Sequence, residues 1–162
     1  MGPSGAFRLT LAQRRYVAAE TGISVAINAV ISIAIAWLAF GGSARILTAA
    51  LIRDALPQSF MVALMGGLVP TLLTRLRRRA GVVAGTGRPV PMLLKSVPVR
   101  IVLVAVIAAA VGVALHAVAL PLLAPQGLSF GVAIVFKSLY GAMLAAFVTP
   151  VMLHFALADP AD

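Results

Sequence analysis

The sequence predicts an all-α integral membrane protein with four transmembrane helices in an up-down bundle. Of its 162 residues, 62% are hydrophobic and 10% are charged, which lies far outside the range of soluble globular domains. Four long apolar stretches, about residues 19–41, 57–76, 99–121 and 131–156, each reach the roughly 20 residues that a helix needs to cross a bilayer. Their residues are continuously apolar rather than alternating, which excludes a membrane β-barrel.

The positive charges predict how these helices are oriented. The net charge of +9 comes from basic residues that cluster before the first stretch and between the second and the third. By the positive-inside rule, this bias places both termini and the central loop in the cytoplasm of a bacterial inner (plasma) membrane, without any role for nucleic acid. The clustered residues are Arg8, Arg14, Arg15, Arg75, Arg77, Arg78, Arg79, Arg88, Lys95 and Arg100, against Arg45 and Arg53 between the first two stretches.

The basic run "RLRRR" closes the second stretch. Its first role is that of a stop-transfer and orientation signal. Its arginines, Arg75, Arg77, Arg78 and Arg79, are also candidates for contact with anionic lipid headgroups, each contributing about 1 kcal/mol near a charged leaflet. Membrane lipids are therefore expected partners.

Local signals predict where the elements begin. Thr10 and Gln13 match the capping-box pattern, so a helix is expected from about Leu11 to Phe40. Residues 45–53 carry apolar side chains on one helical face and are expected to form a short helix on the outer membrane surface. Pro57 suits the first turn of the second spanning helix.

The chain is expected to form one membrane domain of two hairpins, residues 1–80 and 96–162. The segment 81–95 between them reads as a cytoplasmic linker, rich in glycine and proline and too irregular to pack. Ser96 and Pro98 are start signals for the third helix.

The two hairpins are candidates for an internal duplication. A shift of 80 residues places Phe60 on Tyr140 and Pro70 on Pro150, and it also overlays the first helices of the two halves. Both hairpins start in the cytoplasm, so the repeat would be parallel, with its pseudo-axis along the membrane normal. Each proline is expected to kink its helix, and a neighbouring threonine could bond the carbonyl that the proline leaves free.

A polar stripe interrupts the first apolar stretch at every fourth position: Glu20, Ser24, Asn28 and Ser32. These residues share one helical face, which is expected to contact protein rather than lipid. The favoured interpretation is a helix-packing seam, with Asn28 bonded between helices and Glu20 paired with an arginine at the cytoplasmic interface. The alternative is a transport stripe.

A second polar group is expected on the outer side. Lys137 lies about 9 Å outward from the middle of its helix, and His116 lies at a similar depth. A buried ammonium needs a partner or access to water, and Asp54 is the acid on the same side. Lys137 is therefore expected to meet Asp54 or to end among the headgroups.

The sequence offers little support for enzyme chemistry. It contains no cysteine, no metal-spaced His/Asp/Glu cluster and no paired carboxylates or nucleophile elbow, so no catalytic, metal or cofactor site is expected. His116 and His154 lie near opposite surfaces, which argues against a bis-histidine haem.

The hairpin pattern, an apolar helix, a short polar outer segment, then "DALPQSF" and a proline-containing helix closed by "RLRRR", resembles small uncharacterised bacterial inner-membrane proteins of two helices. The resemblance covers each half and carries no catalytic motif, so it implies no activity. The expected function is that of a non-enzymatic structural or accessory subunit, acting as a homo-oligomer or within a larger membrane complex. The alternative is a small oligomeric transporter that uses the stripe, His116 and Lys137.

Overall fold

The computed structural model of the chain describes residues 9–87 and 89–159, and Arg8, Arg88 and Asp162 lie outside this range. In the described part, the chain forms four α-helices, two short strands and one 3-10 turn. They are α1 (Leu11–Phe40), β1 (Arg45–Ile46), α2 (Thr48–Arg79), the 3-10 turn (Met92–Leu94), α3 (Val97–Leu123), β2 (Leu128–Ser129) and α4 (Phe130–Ala158). Within that range, four helices are long and apolar enough to span a membrane by length and composition, so the predicted all-α class is confirmed.

The start of α1 follows its sequence signal. The Thr10 hydroxyl accepts a hydrogen bond from the Gln13 amide at 3.2 Å, and the Gln13 side chain accepts one from the Thr10 amide at 3.0 Å. This reciprocal pair satisfies two amides that a helix start leaves unbonded. The helix then runs for 30 residues to Phe40, as predicted.

The start of α2 differs from the prediction. Residues 45–53 do not form a separate surface helix: they form β1 and the first turns of α2, and Pro57 lies inside this helix. The reason is tertiary packing, because Ile46 and Leu51 join a buried cluster with residues of α3 and α4. A face that could have rested on a membrane surface is instead covered by protein.

Each hairpin packs mainly against the other hairpin. Helix α1 packs on α4, α3 packs on α2, and α2 and α4 lie against each other, whereas contact within each hairpin is sparse. The two hairpin connections also join, since β1 and β2 pair antiparallel with Arg45 opposite Ser129. Exchanging the hairpins leaves this pattern unchanged, as expected for a parallel duplication, and the duplication itself stays a prediction.

Residues 83–86 of the segment after α2 are bonded to the helices, which corrects the expectation of a linker too irregular to pack for this part of it. The Gln13 side chain donates to the carbonyls of Ala84 and Gly85 at 3.0 and 3.2 Å. The Thr86 amide donates to the Leu157 carbonyl at 2.8 Å, and Val83 packs on the cluster that contains Leu157. Residues 83–86 therefore connect the start of α1 with the end of α4.

Candidate functional site

The polar stripe of α1 faces protein, as its spacing predicts. Glu20, Ser24, Asn28 and Ser32 are all buried, while the isoleucines between them, Ile23, Ile27 and Ile31, are exposed. Ser24 forms a 2.8 Å hydroxyl pair with Thr149 of α4. The amide of Asn28 donates to the Ser24 carbonyl at 2.8 Å, so it bonds within α1 rather than across helices.

Thr149 connects three helices at the level of a helix proline. Besides its bond to Ser24, its hydroxyl donates to the Gly66 carbonyl of α2 at 3.4 Å. Gly66 lies four residues before Pro70, and proline has no N–H with which to bond that carbonyl. A threonine hydroxyl therefore bonds the carbonyl that Pro70 leaves free, as expected. This threonine comes from the other hairpin rather than from the position next to Pro70.

Exchanging Thr149 for valine is expected to lower the free energy of unfolding by about 1 to 3 kcal/mol, because the buried Gly66 carbonyl loses its partner. Thr71 provides a matched control. It is equally buried beside Pro70, and in the described part of the chain its hydroxyl has no hydrogen-bond partner. Thr71→Val should therefore leave stability unchanged or slightly raised. Equilibrium unfolding in mixed micelles measures both variants, and equal losses would contradict the assignment.

Two glycines allow the helices to approach closely. A Cβ atom at Gly141 of α4 would collide with the Ser32 hydroxyl of α1. A Cβ atom at Gly112 of α3 would collide with the hydroxyls of Ser59 and Tyr140, which bond each other at 2.6 Å. Small and hydroxylated residues thus contribute to the contact of α1 with α4 and to that of α2 with α3, as is common between helices in membranes.

The expected ion pair of Glu20 is present. Its carboxylate pairs with Arg77 of α2, and the same guanidinium donates to the Tyr16 hydroxyl at 3.2 Å. Tyr16 in turn bonds Thr74 at 2.8 Å. The pair closes the contact between α1 and α2 at the end where α1 begins and α2 ends.

Lys137 and Asp54 meet, in one of the two arrangements that the sequence predicts. The Lys137 ammonium forms an ion pair with Asp54 and donates to the Gln58 side-chain oxygen at 2.7 Å. It also lies 5.8 Å from the centre of the Phe40 ring. The Lys137 side chain is 2% exposed and that of Asp54 is 18% exposed. We call Lys137, Asp54 and Gln58 the lysine cluster.

His116 is not part of this cluster, although the sequence grouped it with Lys137 and Asp54. Its Nδ1 atom lies 2.8 Å from the Gly112 carbonyl, and its ring packs edge-on against Phe136 and Tyr140. These contacts account for the burial of the imidazole. The predicted outer group is thus an ion pair and a separately packed histidine.

A groove between α1 and α2 reaches the lysine cluster. It has a volume of about 170 Å³ and lies where these two helices make few contacts. Apolar side chains of both helices form its walls: Ile31, Ile35, Met61 and Met65. Asn28, Ser32 and the lysine cluster supply its polar groups. We call this cavity the α1–α2 groove.

Most arginines of the basic run interact with other residues of the chain. Besides the pairing of Arg77, Arg78 donates to the Ala156 carbonyl at 3.0 Å, and Arg79 also has an interaction partner. Only Arg75 forms no hydrogen bond or ion pair with the described residues. Lipid contact therefore remains a prediction, best carried by Arg75.

A buried ion pair between Arg100 and Asp159 was not found by sequence reasoning. Two parallel hydrogen bonds of 2.9 Å join the guanidinium of α3 to the carboxylate at the end of α4. The Arg100 side chain is 0% exposed and that of Asp159 is 3% exposed. The charge pattern of the sequence gives Arg100 only a role in orientation.

The arrangement defines a class of protein rather than a reaction. Among the residues 9–87 and 89–159, no group of His, Asp and Glu side chains is placed to hold a metal ion. No family model, curated protein or solved structure matches the chain. The chain is an all-α protein with candidate membrane spans. Hydrogen bonds between polar side chains join its helices.

Proposed function

We propose that this chain is a non-enzymatic integral protein of a bacterial inner membrane that acts as a structural or accessory subunit. One observation carries the proposal: most of the buried polar side chains of its helices are bonded to each other or to backbone carbonyls. Ser24 is bonded to Thr149, Lys137 to Asp54, and Arg100 to Asp159. Groups used in this way stabilise a scaffold and leave few free polar atoms for catalysis.

The outer surface of the helices supports the membrane placement. Large apolar side chains are exposed along all four candidate spans, for example Ile27, Leu72, Val106 and Phe147. Soluble proteins rarely expose apolar surface on this scale. In a bilayer these side chains contact lipid, which removes the cost of exposing them to water.

The proposed orientation has a direct test. Reporter fusions after Gly81 and after Asp162 should both report the cytoplasm, because the basic residues lie at that end of the spans. A fusion after Ser43, in the connection between α1 and α2, should report the opposite side. A periplasmic signal at Gly81 or Asp162 would overturn the orientation.

The accessory role is tested by the mass of the particle extracted in native lipid. We expect a complex that contains a different protein chain besides this one. The exposed apolar faces leave room for such a partner between the lipid contacts. A particle that holds only copies of this chain would contradict the accessory role and leave a structural homo-oligomer or the second candidate.

The second candidate is a small oligomeric transporter, and the α1–α2 groove is the observation that favours it. The groove brings an ion pair, an amide and an apolar cavity together inside a candidate span. Ionisable groups in such places are often parts of transport pathways. Uptake into liposomes that is lost in Lys137→Met with folding intact would support this candidate.

A further inference from the structure

The size and position of the α1–α2 groove limit what it can hold. Its volume of about 170 Å³ is close to that of protein cavities that bind benzene, about 150 Å³. One aromatic ring or a short alkyl chain therefore fills it. Its wall residues Ile31, Ile35, Met61 and Met65 are 43% to 47% exposed, so the groove reaches the outer surface of α1 and α2, and the rest of a longer molecule can extend beyond it.

Apart from the Ser32 hydroxyl, which accepts a hydrogen bond from the Gln58 side-chain nitrogen at 3.3 Å, the polar atoms left available in the groove are hydrogen-bond acceptors. The Lys137 ammonium is almost fully buried and already bonds Asp54 and Gln58. Asp54 uses Oδ2 for this pair, which leaves Oδ1 on a side chain that is 18% exposed. The amide nitrogen of Asn28 bonds Ser24, and its oxygen accepts no bond from the described residues. A ligand that matches these atoms brings donors and positive charge.

We propose that the α1–α2 groove binds apolar molecules that carry one primary ammonium group. The ammonium donates to the Asp54 carboxylate, and the hydrocarbon part lies between the walls of Ile31, Ile35, Met61 and Met65. Charge complementarity selects this class, since an anion would have to reach Lys137 past Asp54. The site goes beyond the proposed accessory role and does not depend on it.

Charge balance adds a second feature to the proposal. Two ammonium groups beside one carboxylate are not stable in a medium of low dielectric. Binding therefore displaces one proton from Lys137 to the surrounding solution, and the net charge of the site stays the same.

The surrounding groups do not change this balance. Arg53 precedes Asp54 and keeps its charge, but its side chain is exposed, where that charge is screened, and it donates to the Ala49 carbonyl rather than to Asp54. From α3, His116 packs on Phe136 and Tyr140, and the residues that α1 contributes to the groove are neutral.

The test is calorimetric titration of the full chain in lipid nanodiscs with three probes of one skeleton. The cation is 4-phenylbutylamine, the neutral analogue is 4-phenylbutanol and the anion is 4-phenylbutyrate, with empty nanodiscs as the blank. We expect the amine to bind about 10- to 100-fold more tightly than the alcohol, the range for a hydrogen bond to a charged group. Titrations in two buffers of different ionisation enthalpy should show about one proton released for each amine bound.

Variants separate the proposed roles. Asp54→Asn should reduce amine affinity to that of the alcohol. Lys137→Met should increase amine affinity and abolish proton release, because the competing ammonium is gone. Met61→Trp fills the groove and should remove binding of both probes, which keeps the test open if Asp54→Asn does not fold.

Three results would overturn the proposal: no saturable amine binding, unchanged amine affinity in Met61→Trp, or tighter binding of 4-phenylbutyrate than of the amine. The last result would indicate an anion site at Lys137. The particle mass that tests the accessory role is independent of all three results.

Discussion

Replacing Asp159 with asparagine is expected to lower the free energy of unfolding by about 3 to 5 kcal/mol, the usual cost of removing one partner from a buried ion pair. The effect is large because the Arg100 guanidinium is 0% exposed and would keep its charge without a counterion. Its remaining bond, from Nη1 to the Leu94 carbonyl at 3.3 Å, is to a neutral group. Unfolding in mixed micelles measures the loss.

Two further variants make this result specific. Arg75→Gln removes an arginine that forms no ion pair with the described residues, so stability should change by less than about 0.5 kcal/mol. The double variant Arg100→Leu with Asp159→Leu removes both charges and should recover most of the stability. A double variant as unstable as Asp159→Asn would show that the pair contributes through packing rather than charge.

Removing Asp54 should cost more than removing Lys137. Asp54→Asn leaves an ammonium that is 2% exposed without a counterion, at a cost of about 3 to 5 kcal/mol. Lys137→Met leaves a carboxylate that is 18% exposed and closer to the end of its helix, at a cost of about 1 to 3 kcal/mol. The same unfolding assay, applied to both variants at pH 7, measures the difference.

The double variant Asp54→Leu with Lys137→Met completes this comparison. It should be more stable than Asp54→Asn alone, because no unpaired charge remains in the span. If Lys137→Met lowers the free energy of unfolding as much as Asp54→Asn does, the carboxylate is as isolated from polar surroundings as the ammonium. The difference expected from their side-chain exposures is then wrong.

Sequence reasoning succeeded where a local pattern decides the structure. The capping box fixed the start of α1, the four-residue spacing identified its buried face, and the excess of apolar residues identified the helices. The Lys137–Asp54 pair was also predictable, since few acids lie at that depth.

The features that sequence reasoning missed depend on contacts between distant segments. Arg100 and Asp159 lie 59 residues apart, and the charge pattern gave Arg100 a sufficient role without a partner. The first turns of α2 carry an amphipathic pattern that fits a membrane surface as well as a protein core, and distant residues such as Leu120 and Ala133 decide between them. Likewise, nothing local indicates that residues 83–86 bond Gln13 and Leu157.

The interleaving of the hairpins has a consequence for biogenesis. Synthesis from the N-terminus delivers α1 long before α4, the helix that covers its buried stripe. In the proposed membrane, Ser24 and Ser32 must therefore wait for Thr149 and Gly141 while more than 100 residues are made. Neither hairpin can complete all of its polar contacts alone, so the nascent chain cannot bury its polar stripe until its last helix has been made.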